Sequence, residues 1–121
     1  MRVIYVHFDA AKNSVAVLPA AEVIFSGDEV VWEVTATGRS IKRVELKVEG
    51  RRSTPFSFGG SKSTKGGYSQ TIQNGRAWIR GVAPHVRKGR RARFAYTVRG
   101  IRGGKKPPIE LDPVIIIVPP D

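Results

Sequence analysis

Cysteine is absent from the 121 residues, so no disulfide staples the chain and no thiolate is available to hold a metal. Methionine occurs once, at Met1, and histidine twice, at His7 and His85, too few for the three or four ligands a metal site usually needs. Long apolar runs are missing too. The longest, Val114 to Val118, is of strand length, well short of the ~20 residues of a membrane-spanning helix. The opening Met1–Asp9 run is too short for a signal-peptide core, and no small-residue cleavage site follows it. A soluble, cytoplasmic protein with no membrane partner is therefore expected. The length fits one domain, 1–121, large enough to bury a single core.

Acidic residues are missing from half of the chain. Residues 1–50 carry seven acids and six bases, residues 51–106 fifteen bases and no acid, and residues 107–121 three acids and no base. The middle segment thus supplies essentially all of the formal net charge of +11. A field of that kind attracts polyanions or acidic protein faces.

Helical periodicity is nearly absent. Apolar residues alternate with polar ones over short runs bounded by Gly, Pro, Asn, Asp or Ser, which predicts strands. The runs are Arg2–Phe8, Ser14–Leu18, Glu22–Phe25, Glu29–Thr35, Ile41–Glu49, Gln70–Ile72, Gly75–Val82, Arg91–Arg99 and Val114–Val118. Val30, Trp32 and Val34 share one face, as do Val44, Leu46 and Val48, and Ala92, Phe94, Tyr96 and Val98. Asn74-Gly75 is a hairpin-turn dipeptide. Val114–Val118 is apolar on both faces, as a central strand is. Residues 50–68 and Gly100–Pro108 read as basic loops. The pattern predicts an all-β, Greek-key β-sandwich of seven or eight strands.

Ser26-Gly27-Asp28-Glu29-Val30-Val31-Trp32 resembles the Gly-Asp-x-Val-x-Trp/Phe strand of the cupredoxins, and Arg93-Phe94-Ala95-Tyr96-Thr97-Val98 resembles their penultimate strand. The run Val17-Leu18-Pro19 suits the lead-in, and Leu111–Ile117 looks like the last strand of copper-less members. The resemblance implies a cupredoxin-like domain. It also implies a metal-free one with no cofactor, because Val98 stands where the copper thiolate belongs and no histidine lies near Ser40 or Ile41.

Catalytic constellations are hard to find. No Gly-x-Ser-x-Gly elbow occurs, and Glu45 and Glu49 lie among Arg and Lys on a strand face, where a solvated, charge-paired surface explains them. Gly59–Gly67 lacks the spacing of a phosphate-binding loop, although Lys62 and Lys65 would let it close over a polyanion. The chain is not expected to be an enzyme.

The most specific surface signal is basic and aromatic. Arg76, Trp78 and Arg80 share one strand face by the period of two. If Ala77 and Ile79 point inward, Trp78 stands exposed between two guanidiniums, where bases stack and phosphates bind. The alternative places Trp78 in the core. Beside this stripe stand Arg87, Lys88, Arg90 and Arg91, then Arg93 and Arg99 outward on the next strand, then Lys105 and Lys106. As neighbours they would form one continuous positive surface; otherwise they are a solvated face that confers solubility. The functional expectation is a non-catalytic module for an anionic partner, nucleic acid first, without strong sequence specificity. An acidic protein surface or self-assembly is the alternative.

Overall fold

The apolar–polar alternation along the chain becomes strand after strand in the computed structural model, which describes residues 1–48, 57–58, 63–64 and 67–119 and holds no helix among them. In chain order the strands are β1 (Arg2–Asp9), β2 (Ser14–Leu18), β3 (Ala21–Phe25), β4 (Glu29–Thr37), β5 (Ile41–Val48), β6 (Ser57–Phe58), β7 (Ser63–Thr64), β8 (Gly67–Thr71), β9 (Arg76–Val82), β10 (Ala92–Arg102), β11 (Ile109–Leu111) and β12 (Val114–Val118). They form two mixed sheets. The first runs β2-β1-β4-β9-β6, and the second β3-β12-β10-β5-β8-β7 with β11 also on β10. The pairs β1–β4 and β12–β3 are parallel and the others antiparallel.

The two sheets share one apolar core, which gives the molecule its sandwich-like form. Ile4, Val6, Phe8, Trp32, Val34 and Ile79 enter it from the first sheet, and Val44, Leu46, Phe94, Tyr96, Val98 and Ile115 from the second. Trp32 and Tyr96 meet edge to face across the sheets, with ring centroids 6.0 Å apart and planes at 74°. The Trp32 indole N–H donates to the Tyr96 hydroxyl at 3.2 Å. A buried polar tip thereby gains a partner within an otherwise apolar layer.

The structure carries more strand segments than the seven or eight expected, for identifiable reasons. β6 and β7 are two-residue pairings on β9 and β8 inside residues 50–68, which read as a loop, and β11 lies outside every expected run. Asp112-Pro113 separates β11 from β12, yet both keep a single register on β10: Val98 faces Leu111 and Ala95 faces Val114. The break is bridged, because the Thr97 hydroxyl donates to Asp112 Oδ1 at 2.7 Å and the Tyr96 N–H to the Pro113 carbonyl at 3.1 Å. The loop expected from Gly100 begins later, because Gly100 to Arg102 continue β10. Gly100 is there for space rather than for a turn: a Cβ would lie 2.7 Å from Phe8 Cε1, inside contact distance of a fully buried ring.

Backbone bonds define two ends of the sandwich. At one, the Ala36 N–H bonds the Gly75 carbonyl (2.9 Å) and the Gly103 N–H the Ser40 carbonyl (3.1 Å), while Arg102 Nη1 donates to Asn13 Oδ1 at 2.7 Å. This hairpin end gathers the turns after β1, β4, β8 and β10. At the far end, the Gly27 N–H bonds the Ala83 carbonyl (3.2 Å) and the Ser26 N–H the Val118 carbonyl (2.8 Å). The length of β10 sets these ends roughly 30 Å apart at ~3.3 Å per residue.

Two stability predictions follow from this core. Gly100→Ala forces the new methyl against Phe8 and lowers unfolding free energy by about 1–3 kcal/mol, the range for overpacking; urea unfolding measures it, and Phe8→Leu in the same chain recovers part of the loss. Burial pushes the Tyr96 phenol from 10.0 up to about 12, an effect opposed by the Trp32 hydrogen bond and reinforced by the Glu22 carboxylate. A raised folded-state pKa means that this contribution is full below pH 10 and is lost as pH rises through about 12. Tyr96→Phe costs about 1 kcal/mol at neutral pH, where a hydrogen bond is lost. It also flattens the decline of stability in that alkaline window, as denaturant titrations across it will show.

Candidate nucleic-acid interface

Strand β9 positions the basic-aromatic stripe. Ala77, Ile79 and Gly81 are buried, so Arg76, Trp78 and Arg80 point outward and Trp78 keeps 51% of its surface exposed. The outward alternative for Trp78 therefore holds over the core one. The neighbours on β4 change the electrostatics. Glu33 lies directly opposite Trp78, and Arg80 Nη1 pairs with Glu29 Oε1 at 3.2 Å. Thr35 lies opposite Arg76, and its hydroxyl shares a 2.7 Å hydrogen bond with His7 Nδ1.

The other expected residues do not join this stripe in one surface. Arg93 and Arg99 project from the outer face of the second sheet, on the far side of the core. Arg99 is the middle of a cross-strand row, with Glu110 opposite on β11 at 2.6 Å and Glu45 opposite on β5 at 3.8 Å. It is partly buried and carries no free charge toward a partner. Arg87, Lys88, Arg90 and Arg91 are exposed at the far end. Their turn closes through the Arg90 N–H to the Arg87 carbonyl (3.0 Å), with Gly89 at φ 81°. Buried Val86, whose N–H bonds Ser26 Oγ at 2.8 Å, anchors it. Lys105 and Lys106 are exposed in the loop at the hairpin end. Lys62 and Lys65 lie outside the described residues. The expected continuous positive surface is thus replaced by bases on two opposite faces and at two opposite ends, because the alternation that buries one side chain sends the next outward from its own sheet.

The hairpin end brings a different set together. Asn74 and Gly75 take φ of 54° and 73°, and Gln73 and Arg76 exchange both backbone bonds at 3.0 Å, which makes a tight two-residue turn. On one side of that turn is a cleft of about 360 Å³ lined by Gln70, Thr71, Gln73, Asn74, Arg76, Ala77 and Trp78. Gln70 Oε1 accepts the Tyr68 hydroxyl at 3.1 Å, which leaves the Gln70 amide nitrogen as the donor. On the other side is a cleft of about 500 Å³ whose lining includes Arg39, Lys42, Ile41, Ile72 and Asn74. Among the described residues no carboxylate lines either cleft.

Sequence reading missed Arg39, Lys42, Gln70 and Gln73. The two bases belong to the half of the chain with no net positive charge, and only the long-range bonds from Ala36 to Gly75 and from Ile72 to Lys42 bring their turn to the β8–β9 hairpin. The dipeptide Asn74-Gly75 was the one local signal that pointed here. Among the described residues no group of three His, Cys, Asp or Glu is placed to hold a metal ion, and no helix is long and apolar enough to cross a membrane.

A scan against protein-family models gives no match for this chain. A search of curated proteins gives none either. Among solved structures, WR4, a C. elegans MSP family member, is similar at a TM-score of 0.36 and 11% identity, over 84% of this chain and 94% of that one.

Proposed function

We propose that this chain is a non-catalytic binding module that engages an anionic partner, nucleic acid first, at its hairpin end and without strong sequence specificity. The observation that carries this reading is the half-exposed Trp78 ring beside Arg76 in a carboxylate-free cleft edged by Gln70 and Gln73. An indole accepts any base by stacking, a guanidinium accepts phosphate, and primary amides both donate and accept along a base edge. None of these groups selects one base over another. The finer architecture belongs to the same reading. With the two-residue β6 and β7 set aside, the chain passes from β5 to its antiparallel neighbour β8, crosses to β9 in the other sheet and returns beside β5 as β10, which supports a Greek-key reading. Joining β2 with β3 and β11 with β12, and setting aside the two-residue β6 and β7, leaves eight principal strands, a number that suits a cupredoxin-like sandwich; the reading takes that sandwich to be metal-free and to act in the cytoplasm.

A second reading is favoured by a specific feature of the first sheet. Leu18, Tyr5, Glu33 and Trp78 are successive cross-strand partners on β2, β1, β4 and β9, and Leu18, Tyr5 and Trp78 are all more than half exposed. Such a row suits protein docking or self-assembly. The nucleic-acid reading is favoured because its aromatic lies in a cleft with a cation, whereas the row is interrupted by a carboxylate.

Fluorescence anisotropy with labelled oligonucleotides, titrated across salt, tests the proposal. Affinity is expected to fall steeply as salt rises. Trp78→Ala is expected to weaken binding by about 1–3 kcal/mol, roughly five- to 150-fold, with the fold intact because the ring is a surface group. Absence of binding at low salt, or equal binding by the variant, would overturn it. A defined oligomer in light scattering without nucleic-acid affinity would select the docking reading instead.

A further inference from the structure

The larger cleft adds something that a generic polyanion surface does not need. Its lining is mostly polar, with a smaller apolar part at the half-buried Ala36 and Ile72, and it carries two exposed cations, Arg39 and Lys42. Neither cation takes part in an ion pair among the described residues. The Gly103 N–H bond to the Ser40 carbonyl holds the loop of Lys105 and Lys106 against this same turn. The wall between the two clefts is the hairpin tip, since Asn74 lines both. That wall is fixed from two directions, by the Ala36 N–H to the Gly75 carbonyl and by the Ile72 N–H to the Lys42 carbonyl, each 2.9 Å.

Two adjoining concavities on either side of a rigid tip, one holding an aromatic ring and a cation and the other two cations, call for a ligand that repeats. We infer that the two clefts take neighbouring nucleotides of one unpaired strand that passes over the Asn74-Gly75 tip, and that the partner is single-stranded rather than duplex nucleic acid. The inference rests on the nucleic-acid reading above. A base lies on Trp78. The next nucleotide sits against Ile72, with its phosphate between Arg39 and Lys42. Each cleft lies within the size range of small-ligand pockets. A duplex does not fit this arrangement, because its base faces are already stacked on one another and closed to an indole or an aliphatic side chain.

The test uses the whole chain and anisotropy of labelled oligothymidine against a duplex of equal length. Trp78→Ala, the double variant Arg39→Ala/Lys42→Ala and the far-end variant Arg87→Ala/Lys88→Ala are compared, and circular dichroism checks each fold. The single strand is expected to bind at least about tenfold tighter than the duplex, given stacking that only unpaired bases offer. Arg39→Ala/Lys42→Ala is expected to weaken single-strand binding and to lower the logarithmic salt slope by about 0.7, the value for one phosphate contact on a single strand. The far-end variant is expected to leave that slope unchanged. Duplex binding as tight as single-strand binding overturns the inference. So does an unchanged salt slope in the Arg39/Lys42 variant when Trp78→Ala abolishes binding, a result that leaves the broader reading standing. No binding by any oligonucleotide removes both.

Discussion

A β-strand sends successive side chains to opposite faces, and in a two-sheet sandwich only one of those faces can reach the core. Nearly every feature of this molecule descends from that constraint. On β9, burying Ala77 and Ile79 commits Arg76, Trp78 and Arg80 to the outer surface of the first sheet. On β10, burying Phe94, Tyr96 and Val98 commits Arg93 and Arg99 to the outer surface of the second. These bases are close in sequence, yet the thickness of the core stands between them. Trp32 and Tyr96 make that separation firm, since their contact and hydrogen bond join the sheets through the middle of the apolar layer.

The same constraint decides where positive charge survives. On the sheet faces each base meets whatever its cross-strand neighbour supplies, and the first and last parts of the chain supply carboxylates. Glu29 faces Arg80 from β4, while Glu45 and Glu110 close on Arg99 from β5 and β11. Pairs of this kind add little stability at the surface, but they cancel the field that a distant anion would feel. At the hairpin end the turns converge without that compensation. Arg39, Lys42, Arg76, Lys105 and Lys106 are exposed there. Asp9, on the turn after β1, is engaged locally, with Oδ1 accepting the Ala11 and Lys12 N–H groups at 3.1 and 3.2 Å.

What was legible in the sequence was local. The alternation placed Val30, Trp32 and Val34, and Phe94, Tyr96 and Val98, in the core, where all six are buried. Asn74-Gly75 read as a hairpin because only residues that tolerate positive φ close so tight a turn, and the two residues take it. What was not legible depended on register and on contacts distant in sequence. Gly100 reads as the start of a loop, because nothing local shows that Phe8, ninety-two positions earlier, occupies the space of its missing side chain. The bases of residues 51–106 read as one surface, because a charge count along the chain holds no record of which sheet a strand joins. Arg39 and Lys42 were passed over for the converse reason: a segment without net charge still delivers two cations to the right place when its turn packs against another.

The two clefts also separate two kinds of binding energy. Contacts between cations and phosphates draw on counterion release, so their share shrinks as salt rises. Stacking on Trp78 and contact with the half-buried Ala36 and Ile72 draw on aromatic and apolar surface, which salt hardly touches. A flat basic surface has only the first kind and holds any polyanion in proportion to its charge. In the proposed mode both kinds act on the same strand within one turn of the chain, and the second is open only to unpaired bases. Discrimination between single-stranded and duplex nucleic acid should therefore grow as salt rises, while discrimination among sequences is left to the amides of Gln70, Gln73 and Asn74, since an indole presents no acceptor for a base edge to match.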